Sequence, residues 1–400
     1  MINLELAKKH RDTLEQTMLL AEHMMRPYSR KYDKEEHTYP KEMEQVAELI
    51  GGARAGATAS PKEKPPAGTV VNGGNMGAVV GLFGLCWGDV GLFLGMPGSG
   101  LGNAAISAVG TPEQVKKYGG SYAAMCITEP GTGSDSANIS TTAVLDGDEW
   151  VLNGEKIYVT DGDRADTLVV WATLDKSLGK AAIKSFIVEK GTPGCEVTRL
   201  EHKLGIRASD TAAISFNDCR IPKDNILGSA EVATDAEGRK KAFGGVMQTF
   251  DNTRPPVAAM AIGVSRAALD MTREILLREG VELAFERKPI NLSAIEAELV
   301  RMEAEWNAAR LLVLKAAWMA DNKQPNSMEA SMCKAKAGRV GNDITLRCVA
   351  LCQSQGYSEQ HLLEKFARDS KILDIFEGTQ QIQQLIVARR VLGKSSSELK

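Results

Sequence analysis

Thr141-Thr142-Ala143-Val144-Leu145, Asp146-Gly147-Asp148 and Trp150-Val151-Leu152-Asn153-Gly154-Glu155-Lys156-Ile157-Tyr158-Val159-Thr160 read as two extended runs joined by a tight hairpin turn. Similar runs surround them at short intervals: Ala123–Thr128, Thr167–Leu174, Ser185–Glu189, Glu196–Leu200 and Ala212–Phe216. Seven strands without intervening helices predict an antiparallel barrel or sandwich and exclude a βαβ sheet. This β domain is expected to span residues 122–235.

Both flanks read as helix. In residues 1–121, Leu14, Met18 and Ala21 keep helical spacing, and Pro40 fits the start of a helix over Lys41–Ile50. Gly51–Thr69, rich in Gly, Ala, Pro and Lys, is expected to be an exposed loop. Residues 76–118 return to apolar, glycine-rich helical text. Residues 236–400 predict a bundle, with helices at Ile295–Asp321, Met328–Gln353, Leu362–Phe376 and Gln380–Leu392. In the first of these, Leu299, Met302, Trp306, Ala309 and Val313 share one stripe. The class expected is mostly α with a central β domain.

Composition excludes several functions. The 48 basic and 51 acidic side chains leave a net charge of -3, with no long basic tract for nucleic acid. The cysteines (Cys86, Cys126, Cys195, Cys219, Cys333, Cys348, Cys352) form no C-x-x-C pair and the few histidines are dispersed. Neither a metal site nor a disulfide framework is therefore expected. No run approaches the roughly 18 apolar residues of a membrane span, and no signal-like segment follows the polar start. The expected location is the cytoplasm.

Four stretches carry candidate chemistry, each with a plainer reading beside it. Cys126-Ile127-Thr128-Glu129-Pro130-Gly131-Thr132-Gly133-Ser134-Asp135 follows a strand. Its small residues would let a ligand approach the backbone, or it is an ordinary Gly-Pro turn. Around Tyr158 and Thr160, an aromatic two residues before a hydroxyl could cover a flat ring, or simply sit on a half-buried strand. In Phe250-Asp251-Asn252-Thr253-Arg254-Pro255-Pro256 the proline pair is expected to bend or restart a helix, and Arg254 to hold an anion or a helix cap. In Asp374-Ile375-Phe376-Glu377-Gly378-Thr379-Gln380-Gln381-Ile382-Gln383, a carboxylate follows an apolar pair at an apparent helix end. Glu377 is either a solvated surface residue or a base whose pKa is raised by its apolar approach. The glycine cluster Gly95-Met96-Pro97-Gly98-Ser99-Gly100-Leu101-Gly102 does not match a dinucleotide fingerprint, because Asn103 stands at the last position.

Taken together, the wording and order of these motifs resemble the acyl-CoA dehydrogenase family. Arg26-Pro27, Thr128-Glu129-Pro130-Gly131 with Gly133-Ser134-Asp135, Asn153-Gly154-Glu155-Lys156 with Thr160, and Lys203-Leu204-Gly205-Ile206-Arg207 with Ser209-Asp210-Thr211 all carry the likeness. So do the Phe250 stretch and Ile375-Phe376-Glu377-Gly378-Thr379 with Gln381-Ile382-Gln383. The resemblance implies a helical domain, a β domain and a four-helix bundle. It implies FAD held by Ile127, Thr128, Gly133, Ser134, Tyr158 (in place of the family's usual Trp), Val159, Thr160, Thr379 and Gln381. Ser134, Asp251 and Arg254 would lie along the acyl-CoA thioester. Glu377 would be the base that takes the α-proton while the β-hydride passes to flavin N5, with electrons then delivered to an electron-transferring flavoprotein. The alternatives are an acyl-CoA oxidase, or a non-catalytic or nucleic-acid-associated flavoprotein of the same fold.

Two departures from the family pattern concern its tetramer. Subunits of the family complete a neighbour's FAD site with an R-x-x-F-G loop and a helix ending Q-x-x-G-G. Here these read Phe285-Glu286-Arg287-Lys288-Pro289-Ile290 and Ala350-Leu351-Cys352-Gln353-Ser354-Gln355-Gly356. Two assemblies fit: an α2β2 enzyme of the kind found among actinobacterial dehydrogenases of steroid side-chain CoA thioesters, with this chain as the Glu-bearing subunit, or a diverged homotetramer.

Overall fold

A computed structural model describes residues 5–59, 73–98, 100–232, 236–395 and 398, with side chains left aside at 52–59 and 236–252. The N-terminal helices are α1 (Lys8–Met24), α2 (Arg26–Lys34), α3 (Met43–Ala59), α4 (Gly74–Gly88), α5 (Val90–Leu94), α6 (Leu101–Val109) and α7 (Pro112–Tyr118). The expected loop from Gly51 is corrected over its first part: α3 runs on to Ala59, because the alanines there outweigh the glycine pair. Residues 60–69 of that expectation lie outside the described residues.

The strands are β1 (Ala123–Cys126), β2 (Thr142–Asp146), β3 (Glu149–Thr160), β4 (Thr167–Thr173), β5 (Ile183–Glu189), β6 (Cys195–Leu200) and β7 (Thr211–Pro222). They form one sheet ordered β1-β4-β2-β3-β7-β6, with β5 also on β4. Most pairs are antiparallel, but β1 lies parallel to β4, with Ala123 opposite Thr167, and β2 meets β4 in parallel at Thr142 and Thr173. Every residue of β4 is buried, as a central strand covered on both faces requires. The hairpin turn places Gly147 at φ 64, a left-handed position that suits glycine. Two register shifts interrupt β3 against β7, between Leu152 and Gly154 and between Lys156 and Val159.

The C-terminal part comprises α8 (Ala236–Arg278), α9 (Ala294–Asp321), α10 (Ser327–Leu351), α11 (Gln353–Tyr357), α12 (Leu363–Ser370) and α13 (Gln380–Leu392). Helix α8 passes through Pro255 and Pro256 without restarting. Ala258, Ala259, Met260, Ala261 and Ile262 after the prolines are buried in the main core, and that packing outweighs the lost backbone bonds. The expected helix over Leu362–Phe376 is also shorter: it ends at Ser370 and tightens into a 3-10 turn at Lys371–Asp374. Among the described residues no helix is long and apolar enough to cross a membrane. All seven cysteines are free thiols.

A buried ionic cluster ties the three parts together. Lys365 on α12 pairs with Asp89 at 2.8 Å and Asp369 at 2.5 Å. Asp89 caps α5 by accepting from Leu92 N, while Asp369 accepts from Ile206 N in the loop between β6 and β7. Gly205 in that loop packs so closely on α12 that a Cβ would lie 2.5 Å from the Arg368 carbonyl.

Candidate active site

The Ile127–Ser134 loop is anchored from below by a buried ion pair. Glu129 receives Lys156 Nζ at 2.8 Å, Ser140 N at 2.6 Å, Ser140 Oγ at 2.7 Å, Thr141 N at 2.9 Å and Thr141 Oγ1 at 2.6 Å. Burial opposes its ionisation, but Lys156 and the hydroxyls overcome this and hold Glu129 down to about 2. Lys156 also donates to Ile127 O at 3.1 Å, and Ile157 N donates to Thr128 O at 2.9 Å. The loop is thereby pinned to β3. Gly154 is required for this fit: at φ 149, a Cβ there would lie 2.6 Å from Thr141 Oγ1.

The second bulge of β3 aims Tyr158 outward. Tyr158 has φ 56 and remains 62% exposed, an unusual combination for an aromatic residue in a strand. Val159 beside it is buried and Thr160 is half-buried. Gly133 and Ser134 are exposed on the neighbouring loop. Among the described residues, the side chains of Thr128, Ser134 and Thr160 make no hydrogen bond, so three hydroxyls stand ready beside a bare aromatic ring. That donor set fits a flat, polar-edged ring such as a flavin.

The second cluster surrounds Glu377. The residue lies after the 3-10 turn rather than at an α-helix end, at φ 54, followed by Gly378 at φ 91. Its Oε2 accepts from Thr253 Oγ1 at 2.9 Å. Burial pushes the carboxyl above the usual range, and Thr253, Lys334 and Arg254 pull it partly back. Arg254 is 3% exposed and reaches Ser331 Oγ at 3.4 Å. The Asp251 side chain lies outside the described residues. Lys334 Nζ donates to Gly378 O at 2.7 Å, and Gln383 Nε2 donates to Glu377 O at 3.1 Å and Gly378 O at 3.2 Å. Thr379 caps α13 by accepting from Ile382 N at 3.4 Å, and Gln381 is exposed on the first turn.

The structure therefore gathers Arg254 with Glu377, and the Ile127–Ser134 loop with Tyr158 and Thr160. Thr253, Lys334, Glu129 and Lys156 carry no role that the sequence alone shows. Three of these four lie within motifs already quoted, and a Glu and a Lys in separate apolar motifs are a signal for a buried pair.

A half-buried carboxyl with a raised pKa beside an arginine is suited to removing a weakly acidic C–H proton. Sequence comparison agrees. Residues 124–219 match the acyl-CoA dehydrogenase middle domain and residues 243–392 the acyl-CoA dehydrogenase C-terminal domain. The short-chain specific acyl-CoA dehydrogenase of Bos taurus mitochondria is 38% identical over 72% of this chain and 68% of its own length. This chain belongs to the acyl-CoA dehydrogenase family. The acryloyl-CoA reductase (NADH) of Anaerotignum propionicum is 37% identical over 72% of each chain. The butyryl-CoA dehydrogenase structure from Megasphaera elsdenii superposes with a TM-score of 0.83, at 29% identity, over 98% of this chain and 100% of that one. As an acyl-CoA dehydrogenase family member, the chain is a flavoprotein oxidoreductase acting on CH–CH bonds of acyl-CoA in fatty acid metabolism, and its family is FAD-dependent.

One further group of possible ligands meets where no metal was expected. Glu36, His37 and His202 lie within reach of one another, but His202 Nδ1 bonds Glu36 at 2.9 Å and the other Glu36 oxygen accepts from Lys203 N. The charge of Lys203 faces His37 and opposes a cation there.

Proposed function

We propose that this chain desaturates short acyl-CoA thioesters between the α and β carbons, with Glu377 as the base. The observation that carries this reading is the Glu377 carboxyl itself: half-buried, raised in pKa, bonded to Thr253 and flanked by Arg254. Glu377 takes the α-proton, and the β-hydrogen leaves with its electron pair. When bound, FAD supplies the two-electron acceptor. Ile127, Thr128, Gly133, Ser134, Tyr158, Val159 and Thr160 would hold its ring, and Thr379 and Gln381 its far half. A free carboxylate is too weak a base for such a C–H bond, so the thioester oxygen must be hydrogen-bonded as charge develops on it. Arg254 and Ser134 would lie along the thioester, with Asp251.

The names of the Bos taurus and Megasphaera elsdenii relatives support a short acyl group. The same residues serve the reverse reaction, for which the Anaerotignum propionicum relative is named. Electrons would pass to an electron-transferring flavoprotein, in the cytoplasm. Glu377→Gln should keep its flavin absorbance and lose turnover by ~10³-fold. Near-normal desaturation by that variant would refute the assignment.

We also propose that the chain works as the Glu-bearing half of an α2β2 tetramer. Gln353 occupies φ 49 and Ser354 is exposed beside it, where the family places glycines. Arg287 is engaged within its own chain by Glu282 at 2.7 Å and Glu296 at 3.9 Å. Purification of this chain alone tests the point: stoichiometric FAD and full activity without a partner would overturn it.

A further inference from the structure

We propose that Lys334 is a positioning residue for the base: its ammonium fixes the Glu377–Gly378 turn and gives the carboxylate a positive neighbour. The proposal rests on Glu377 being the base and adds to it the group that holds it in place.

Ser331, Lys334 and Gly338 lie three and four residues apart on one face of α10. Ser331 meets Arg254, Lys334 meets Gly378 O, and Gly338 packs so closely on the 3-10 turn that a Cβ would lie 2.9 Å from Leu373 O. One face of one helix thus touches the arginine, the turn and the approach to the base. Consecutive left-handed residues at Glu377 and Gly378 cost free energy for the glutamate, and such a turn persists only where its surroundings fix it. The fixing donors are Lys334 Nζ and Gln383 Nε2, which between them hold both carbonyls of the turn.

The ammonium is 1% exposed as a residue and has no carboxylate in direct salt-bridge contact among the described residues. The charged groups facing it are Asp374 of the 3-10 turn, Glu377 of the turn itself and Arg254 of α8. Burial pulls Lys334 down to about 8 against the attraction of the two carboxylates. Because the folded value lies below the unfolded one, this lysine weakens folding at neutral pH, and stability recovers as pH rises from about 8 toward 10.5. A methionine would fill the same space without that cost. A lysine serving only packing is a poor choice there, whereas one that orders and charges the base turn is a good one.

The test uses full-length chain with its FAD, in wild-type, Lys334→Met, Lys334→Arg and Glu377→Gln forms. Flavin absorbance, Tm from pH 7 to 10.5, kcat, KM and the pH profile of kcat are recorded. Lys334→Met should keep its FAD, show a higher Tm at pH 7 and lose the further rise of Tm above pH 8. It should lower kcat roughly tenfold with little change in KM. Its acid limb should move to higher pH, because Glu377 has lost a cation, and Lys334→Arg should move that limb back. A wild-type kcat in Lys334→Met, or a lower kcat with an unmoved acid limb, overturns the proposal. If Lys334→Met does not fold or bind FAD, Lys334→Gln, which keeps a donor without the charge, decides by the same limb. Inactive Glu377→Gln beside a normal Lys334→Met defeats this proposal alone. Active Glu377→Gln defeats the base assignment and this proposal with it.

Discussion

Two glutamates of this chain, Glu129 buried and Glu377 half-buried, each lie near a lysine, and they behave in opposite ways. Glu129 is saturated by five donors and held down to about 2. Glu377 has one hydroxyl on its carboxylate, and its lysine donates to the next residue's carbonyl instead. Burial therefore wins at Glu377 and raises it. The donors around the carboxylate set a fixed anion at Glu129, and their scarcity leaves desolvation to raise Glu377. The first glutamate organises a loop, and the second is left able to accept a proton.

The largest expected contrast is in turnover. Glu377→Gln should abolish it while leaving the fold intact or firmer at pH 7. A carboxyl with a raised folded pKa weakens folding once pH exceeds its unfolded value, so removing the charge removes that cost. Thermal denaturation beside the activity assay checks both halves. Glu129→Gln should do the reverse and act first on stability. Breaking a buried pair from one side costs about 3–5 kcal/mol, which urea denaturation would read as a lowered midpoint. Its pH signature follows from its sign. The wild-type contribution is full above about 4.5 and lost as pH falls toward about 2, so the variant's acid unfolding should flatten over that window. An unchanged acid profile would break the comparison.

Smaller effects sharpen it. Thr253→Val removes the hydrogen bond to Glu377 Oε2, so the carboxyl should rise further and kcat fall roughly tenfold at neutral pH. An acid limb that stays in place would show that Thr253 does not touch the working form of the base. Smallest is Gln353→Gly, which should raise stability by about 1 kcal/mol by relieving a left-handed side-chain residue. Measured with and without a partner chain, it also asks whether the restored glycine improves FAD retention by the chain alone.

How much of this was legible in sequence varied with the range of the contacts. The hairpin at Asp146-Gly147-Asp148 and the strands around it were readable because alternation and turn chemistry are local. Helix α13 was also readable from end to end, being bounded by Thr379 and Gly393, a hydroxyl cap and a left-handed glycine. The apolar approach to Glu377 pointed to a raised pKa. Its partners were hidden, since Thr253 is 124 residues away and Lys334 meets the turn across 44. Pro255 and Pro256 misled because the core around α8 outweighs their local effect. The parallel β1–β4 pair was likewise invisible, since strand spacing says nothing of which strand a short segment joins.

The Lys365 cluster sets a limit on how this molecule could be taken apart. Asp89, Ile206 and the Lys365–Asp369 pair belong to three different stretches of chain, and each completes the others out of reach of water. Separated at the domain boundaries, every fragment would carry an orphaned charge or amide on the face that should have met its neighbours. The helical, β and bundle segments are thus poor modules for recombination. A domain borrowed from a relative would be accepted only if it brought the matching member of the cluster with it.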